Sequence, residues 1–117
     1  MKPSILYVDA DANACDAFRA TYQAHYRVRT ARTLAEAVLE ALQEPPSVAV
    51  VCAGPRSSPL NAMACAAQLS RHTRVLLATA HASDYGLAEL SSVGAKDFVP
   101  LPWDAATFPG TLARHTL

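Results

Sequence analysis

Short apolar runs alternate along this chain with stretches in which apolar residues recur at helical spacing. The runs predicted as strands cover residues 4–8, 26–30, 48–52, 74–78 and 96–101, and a helical stretch follows each of them. Residues 26–30 are not an apolar run but alternate and are rich in residues that favour strands. The third run is entirely apolar, which is typical of a strand that is covered on both faces. Because strands that alternate with helices through short loops form parallel sheets, we predict an α/β fold with a doubly wound, five-stranded parallel sheet flanked by five helices.

The first two helices have recognisable starting residues. Asp11 or Asn13 is suited to cap the first helix, because a short polar side chain accepts a hydrogen bond from the first turn. Thr33 and Glu36 have the spacing of a capping box at the start of the second helix. Helical spacing then predicts the apolar side of the second helix, which consists of Leu34, Val38, Ala41 and Leu42.

The other helices are predicted from residues that begin or end a helix. They cover residues 61–71, residues 83–93 before Gly94, and a last segment that we expect Asp104 to cap. Pro109 and Gly110 fall inside that last segment, so the sequence predicts that this helix starts late or kinks.

Composition limits the classes of function. With 117 residues, of which 51% are hydrophobic, residues 1–117 are expected to form one domain. Ten basic and ten acidic residues give a formal charge of zero, which argues against nucleic-acid binding through this domain. No apolar run approaches the length of a membrane span, so we expect no membrane contact. Three cysteines without metal-ligand spacing indicate neither a disulfide framework nor a zinc site, and we expect a reducing, cytoplasmic location.

Three segments at the predicted strand ends resemble one known family. Ile-Leu-Tyr-Val-Asp at residues 5–9, Val-Leu-Leu-Ala-Thr-Ala-His at residues 75–81 and the segment 94–103, which contains Gly-Ala-Lys-Asp-Phe and Pro-Trp, are similar to the receiver domains of bacterial two-component response regulators. The resemblance to this CheY-like, flavodoxin-like family implies the strand order 2-1-3-4-5. It also implies a signalling domain and not an enzyme.

The resemblance further implies where a phosphorylation site would lie. The family uses two acidic residues after the first strand, an Asp after the third, a Ser or Thr after the fourth and a Lys after the fifth, which together hold Mg²⁺ and the phosphoryl group. Asp9 matches the first acidic position, and Thr79 matches the hydroxyl position. The other three positions are occupied by Ala10, Cys52 and Leu101.

These three replacements predict that the site has lost its chemistry. A thiol is a poor ligand for Mg²⁺ and forms no acyl phosphate, and leucine provides no positive charge. We therefore predict no bound metal, no cofactor and no aspartyl phosphorylation. Phe98 matches the family's switch aromatic, and Pro102 is the candidate for a cis proline. We expect Asp9 to accept hydrogen bonds from backbone N–H groups and from Thr79.

The leading hypothesis is a receiver-like domain that signals through protein contacts. Its partners would be a sensor kinase, an output domain or a second copy, with a possible homodimer through the fourth helix, fifth strand and fifth helix. The alternative is a pseudo-receiver that senses redox state or a small molecule through Cys52 and the emptied pocket. Cys15 and Cys65 are interpreted as packing residues. An enzyme on this scaffold is not supported, since the sequence has no Gly-rich phosphate loop and no nucleophile elbow.

Overall fold

A single parallel sheet forms the centre of the molecule. The computed structural model describes residues 2–53, 59–79, 94–100 and 106–116. Five strands pair in the order β2-β1-β3-β4-β5, and every pairing is parallel. The strands are β1 (Ser4–Val8), β2 (Arg27–Ala31), β3 (Val48–Ala53), β4 (Arg74–Thr79) and β5 (Asp97–Pro100). The prediction of an α/β fold with a parallel sheet is confirmed.

Helices cover both faces of the sheet. The described ranges contain four of them: α1 (Ala12–Tyr22), α2 (Leu34–Gln43), α3 (Pro59–Leu69) and α4 (Phe108–His115). The helix predicted over residues 83–93 lies outside the described residues. The described ranges therefore contain four helices where the sequence predicts five for the whole chain. Gly94, predicted to close that helix, has the positive φ of 75° that glycine adopts readily. Within the described part of the chain, no helix is both long and apolar enough to span a membrane.

Strand alternation divides the core into two layers. On one face, Leu6, Val8 and their neighbours pack against α2 and α3. On the other face, Ile5 and Tyr7 pack against α1 and α4. This second layer is aromatic, and the rings of Tyr7 and Phe18 stack with their centroids 4.2 Å apart. The doubly wound arrangement follows from this two-sided burial of the strands.

The predicted caps of the first two helices are confirmed. Oδ1 of Asp11 accepts a 2.9 Å hydrogen bond from the N–H of Asn13 at the start of α1. Oγ1 of Thr33 accepts a 3.1 Å bond from the N–H of Glu36, and the Glu36 carboxylate reaches back to the N–H of Arg32. Both helices therefore begin where their capping residues satisfy backbone donors of the first turn.

The predicted core side of α2 is partly wrong. Ala37 and Ala41 are completely buried, whereas Leu34 and Leu42 are exposed to 39% and 59%. Val38 is half-buried. The helix packs closely against the sheet through its small residues, and this close approach leaves no room for leucine side chains at the contact.

The last helix starts late, as Pro109 suggested, and its cap is not Asp104. α4 begins at Phe108 with Thr107 at the N-cap position, and Pro109 falls in the first turn. A proline is tolerated there because the first N–H groups of a helix have no partner within the helix. Asp104 itself lies outside the described residues.

Candidate functional site

The carboxyl ends of the three central strands bring most of the predicted positions to one edge. Asp9 directly follows β1, Cys52 is the last but one residue of β3, and Thr79 ends β4. The register pairs Val8 with Val51 and Ala53 with Thr79, so all three positions lie at similar heights along neighbouring strands. In parallel α/β sheets, this is the edge at which ligands bind.

The remaining predicted positions are only partly described. Ala10 is exposed next to Asp9. Phe98 belongs to β5, with its backbone paired to Leu77 of β4. Leu101 and Pro102 follow β5 and lie outside the described residues, so the lysine position and the cis proline remain predictions.

Asp9 is buried, and its own chain satisfies its carboxylate. Oδ1 accepts a 3.0 Å hydrogen bond from the N–H of Asp11, and Oδ2 accepts a 2.9 Å bond from the hydroxyl of Tyr7. The backbone N–H of Asp9 donates to the carbonyl of Ala31 at 3.0 Å. The bond from the N–H of Asp11 confirms the expectation that a backbone N–H donates to the Asp9 carboxylate. The expected bond from Thr79 remains a prediction.

Tyr7 is the site residue that the sequence reasoning missed. It lies two residues before Asp9 on the same strand, so the alternation of side chains places both on the same face. Burial raises the pKa of its phenol, and Cys52 and Asp9 beside it raise this pKa further. The hydroxyl therefore remains protonated and able to donate to Asp9. A tyrosine two positions before an acidic strand end was the signal for this contact.

Cys52 is a buried thiol with an exposed fraction of only 4%. Burial raises the pKa of Cys52 well above its usual range; the negative charge of Asp9 adds to the rise, and a hydrogen bond with Tyr7 opposes it. Because the thiolate is the reactive form, this environment disfavours nucleophilic or redox chemistry at Cys52.

Cys15 and Cys65 are also buried and unpaired by disulfides. The thiol of Cys15 donates to the carbonyl oxygen of Asp9 at 3.4 Å, and burial raises its pKa. Cys65 packs between α3 and the opposite face of the sheet, where burial raises its pKa to about 11. Burial of both is consistent with their interpretation as packing residues.

Comparison with known proteins gives a likeness in structure alone. No protein-family model and no curated protein sequence matches this chain. The chemotaxis protein CheY4 of Vibrio cholerae has a solved structure that is similar over 100% of both chains, with a TM-score of 0.83 and 23% identity. The chain has the receiver fold. The BeF3-activated receiver domain of DrrB is similar with a TM-score of 0.77 and 23% identity, over 98% of this chain and 97% of that receiver-domain chain.

The same fold also forms part of longer proteins. NtrX from Brucella abortus matches 99% of this chain over 27% of its own, with a TM-score of 0.81 and 19% identity. The receiver fold is thus found both as a whole chain and as one part of a larger one.

The receiver resemblance implies a Mg²⁺ site beside Asp9, and the residues present do not fit one. Mg²⁺ requires near-octahedral oxygen ligation, usually with one or two available carboxylates. Both carboxylate oxygens of Asp9 already accept hydrogen bonds, its neighbour is Ala10, and Cys52 offers sulfur. Among the described residues, no group of three His, Cys, Asp or Glu side chains is arranged to hold a metal ion.

A fixed positive charge lies next to this edge. Nε and Nη2 of Arg32 both donate to the carbonyl oxygen of Ala10 at 3.2 Å. The same carbonyl belongs to the loop that positions Asp9 at the start of α1. The Arg32 guanidinium thereby ties the end of β2 to the loop between β1 and α1.

Proposed function

We propose that this chain is a receiver-like domain of two-component signalling that acts through contacts with other proteins, without aspartyl phosphorylation and without Mg²⁺. The proposal rests on two features of the same sheet edge. Cys52 is buried and protonated, and both carboxylate oxygens of Asp9 accept hydrogen bonds from the same chain. The likeness to solved receiver structures supports a signalling role. These two residues support the absence of phosphorylation chemistry.

Phosphoryl transfer to a receiver needs a free carboxylate nucleophile with a cation to neutralise the incoming charge. The third strand offers a thiol instead, and a thiol gives no acyl phosphate. The carboxylate of Asp9 accepts hydrogen bonds from the Tyr7 hydroxyl and the N–H of Asp11, and the adjacent position is Ala10 instead of a second acid, so the residues present form a poor metal site. We therefore assign the domain no catalytic role of its own.

The partners we propose are a sensor kinase, an output domain or a second copy. NtrX shows the receiver fold within a longer chain, which supports an output domain as partner. The homodimer surface carried over from the resemblance would combine residues 83–93, β5 and α4. We place the domain in the cytoplasm, where its three free cysteines would stay reduced.

The redox alternative gains no support from the geometry of Cys52. A sensing thiol needs exposure and a lowered pKa, whereas this thiol is buried and its pKa is raised. The small-molecule version stays a prediction.

The test is phosphorylation by a small phosphodonor. We expect acetyl phosphate with Mg²⁺ to leave the intact mass of the wild-type protein unchanged. A phosphorylatable receiver treated in parallel confirms that the donor is active. Cys52→Asp combined with Leu101→Lys asks whether restoring two lost groups is enough to accept phosphate. A phosphate-sized mass increase in the wild-type protein would contradict the proposal.

A further inference from the structure

The outer side of α2 carries a continuous apolar strip. Leu34, Leu39 and Leu42 are exposed to 39%, 56% and 59%, Ala35 is exposed, and half-buried Val38 lies between them. Leu34, Val38 and Leu42 follow one another at four-residue steps, Leu39 lies four positions after Ala35 and Leu42 three after Leu39, so the five residues line one side of the helix. We call them the α2 strip.

The charges of α2 lie away from this strip and are used by the same molecule. The carboxylate of Glu36 accepts from the N–H of Arg32 at the start of the helix. Glu40 forms a 2.9 Å ion pair with Arg29, and Glu44 forms one of 2.9 Å with Arg27. The acidic side chains are thereby held toward the edge strand β2, and the strip itself is uncharged.

We propose that the α2 strip is a contact between two copies of this chain, with the two α2 helices antiparallel. An uncharged strip is best covered by another uncharged strip, and a two-fold axis places each copy's strip on its equivalent. The chain has a formal net charge of zero, so no overall repulsion keeps two copies apart.

Charge at the ends of α2 favours the antiparallel direction. Arg32 is exposed just before the helix, and Glu44, with half of its side chain exposed, follows it. Antiparallel pairing brings Arg32 of each copy towards the negative, C-terminal end of the other helix dipole, where Glu44 is already paired with Arg27 of its own chain. It also opposes the two helix dipoles, whereas parallel pairing would place like ends together.

The size of the strip limits the strength of this contact. Even complete burial of three leucine side chains falls short of the roughly 800 Å² per partner that a stable interface buries. We therefore expect a weak, reversible dimer that forms only at high protein concentration. α2 is not one of the elements of the homodimer surface carried over from the resemblance, so the inference goes beyond the proposed function.

The experiment follows the wild-type chain across concentration. Because a weak complex needs protein near its dissociation constant, sedimentation velocity and amide NMR spectra are recorded from about 20 µM to about 1 mM. We expect the sedimentation coefficient to rise and the shifts that depend on concentration to centre on residues 34–42. Leu39→Glu and Leu42→Glu, tested separately, should each abolish both effects. The control Gln23→Glu adds the same charge at an exposed position after α1 and should preserve them.

Two results would overturn the inference. One is a wild-type protein that stays monomeric up to the highest concentration. The other is a dimer that survives both leucine substitutions, which would place the contact elsewhere, for example on β5 and α4. Both substituted leucines are more than half exposed, so the variants are expected to fold, and circular dichroism checks this. Phosphorylation is measured separately, so failure here leaves the proposed function intact.

Discussion

The hydroxyl of Tyr7 donates a 2.9 Å hydrogen bond to Oδ2 of Asp9, and both residues are buried. Its ring is fixed by stacking on Phe18 of α1, so the hydroxyl is held in place before any partner binds. Hydrogen bonds to a carboxylate are stronger than those between neutral groups. The pair therefore stabilises the folded chain.

Replacing Tyr7 with phenylalanine tests the strength of this pair. We expect Tyr7→Phe to lower the free energy of unfolding by about 1.5–3 kcal/mol, because a buried carboxylate oxygen loses its donor. Urea unfolding at pH 7 measures the loss. The control is Tyr26→Phe, which removes the hydroxyl of a half-buried tyrosine whose ring packs against Tyr22. Equal losses in the two variants would show that the Tyr7–Asp9 hydrogen bond adds little.

The three cysteines are expected to be uniformly unreactive in the folded protein. Each is at most 4% exposed, and burial raises each pKa, so neither access nor thiolate is available. A thiol reagent at pH 8, followed by peptide mapping, should label all three slowly and faster as urea is added. Rapid labelling of Cys52 alone would revive the redox hypothesis.

Stability should fall at alkaline pH through the buried thiols. Burial raises the pKa of Cys65 from 9.0 to about 11, so above pH 9 the unfolded chain loses this proton before the folded chain does. The unfolded state then binds fewer protons, and the free energy of unfolding decreases as pH rises. For Cys65 the decrease reaches at most about 3 kcal/mol once pH exceeds 11.

Cys65→Ala isolates this contribution, since alanine is small and does not titrate. We expect the variant to lose less stability than the wild type between pH 8.5 and pH 11 in urea unfolding. Any cost of the smaller side chain is the same at every pH, so the difference in slope reports the thiol. Parallel pH profiles for the two proteins would mean that Cys65 ionises equally in the folded and unfolded states.

The carboxyl ends of β1, β3 and β4 could be predicted from the sequence because each of these strands is a largely apolar run with a clear limit. Asp9, Cys52 and Thr79 therefore lie at the ends of strands that the pattern predicts, whereas their assignment to a phosphorylation site came from the resemblance and stays a prediction. The partner of Asp9 was missed because its choice depends on which neighbouring side chain points the same way. For Tyr7 that follows from strand alternation, but only once an aromatic hydroxyl is considered a donor to the strand's end.

The core side of α2 was harder to predict because its apolar residues cover more than half of the helix. Hydrophobic spacing then allows several rotations of the helix, and by this criterion leucines are as suitable for the core as alanines. The distance between α2 and the sheet determines which side of the helix faces the core. That distance is set by Ala37 and Ala41 at the contact. No local pattern in the sequence records this distance.

This rotation of α2 makes a direct prediction about two adjacent residues. Ala41→Leu should destabilise the protein by about 1–3 kcal/mol, because a larger side chain is forced into a filled contact with the sheet. Leu42→Ala should change the free energy of unfolding by less than about 0.5 kcal/mol, since Leu42 is 59% exposed and alanine favours the helix. Urea unfolding of both variants gives the comparison. If Leu42→Ala were the more damaging of the two, α2 would have to be rotated so that its leucines face the core.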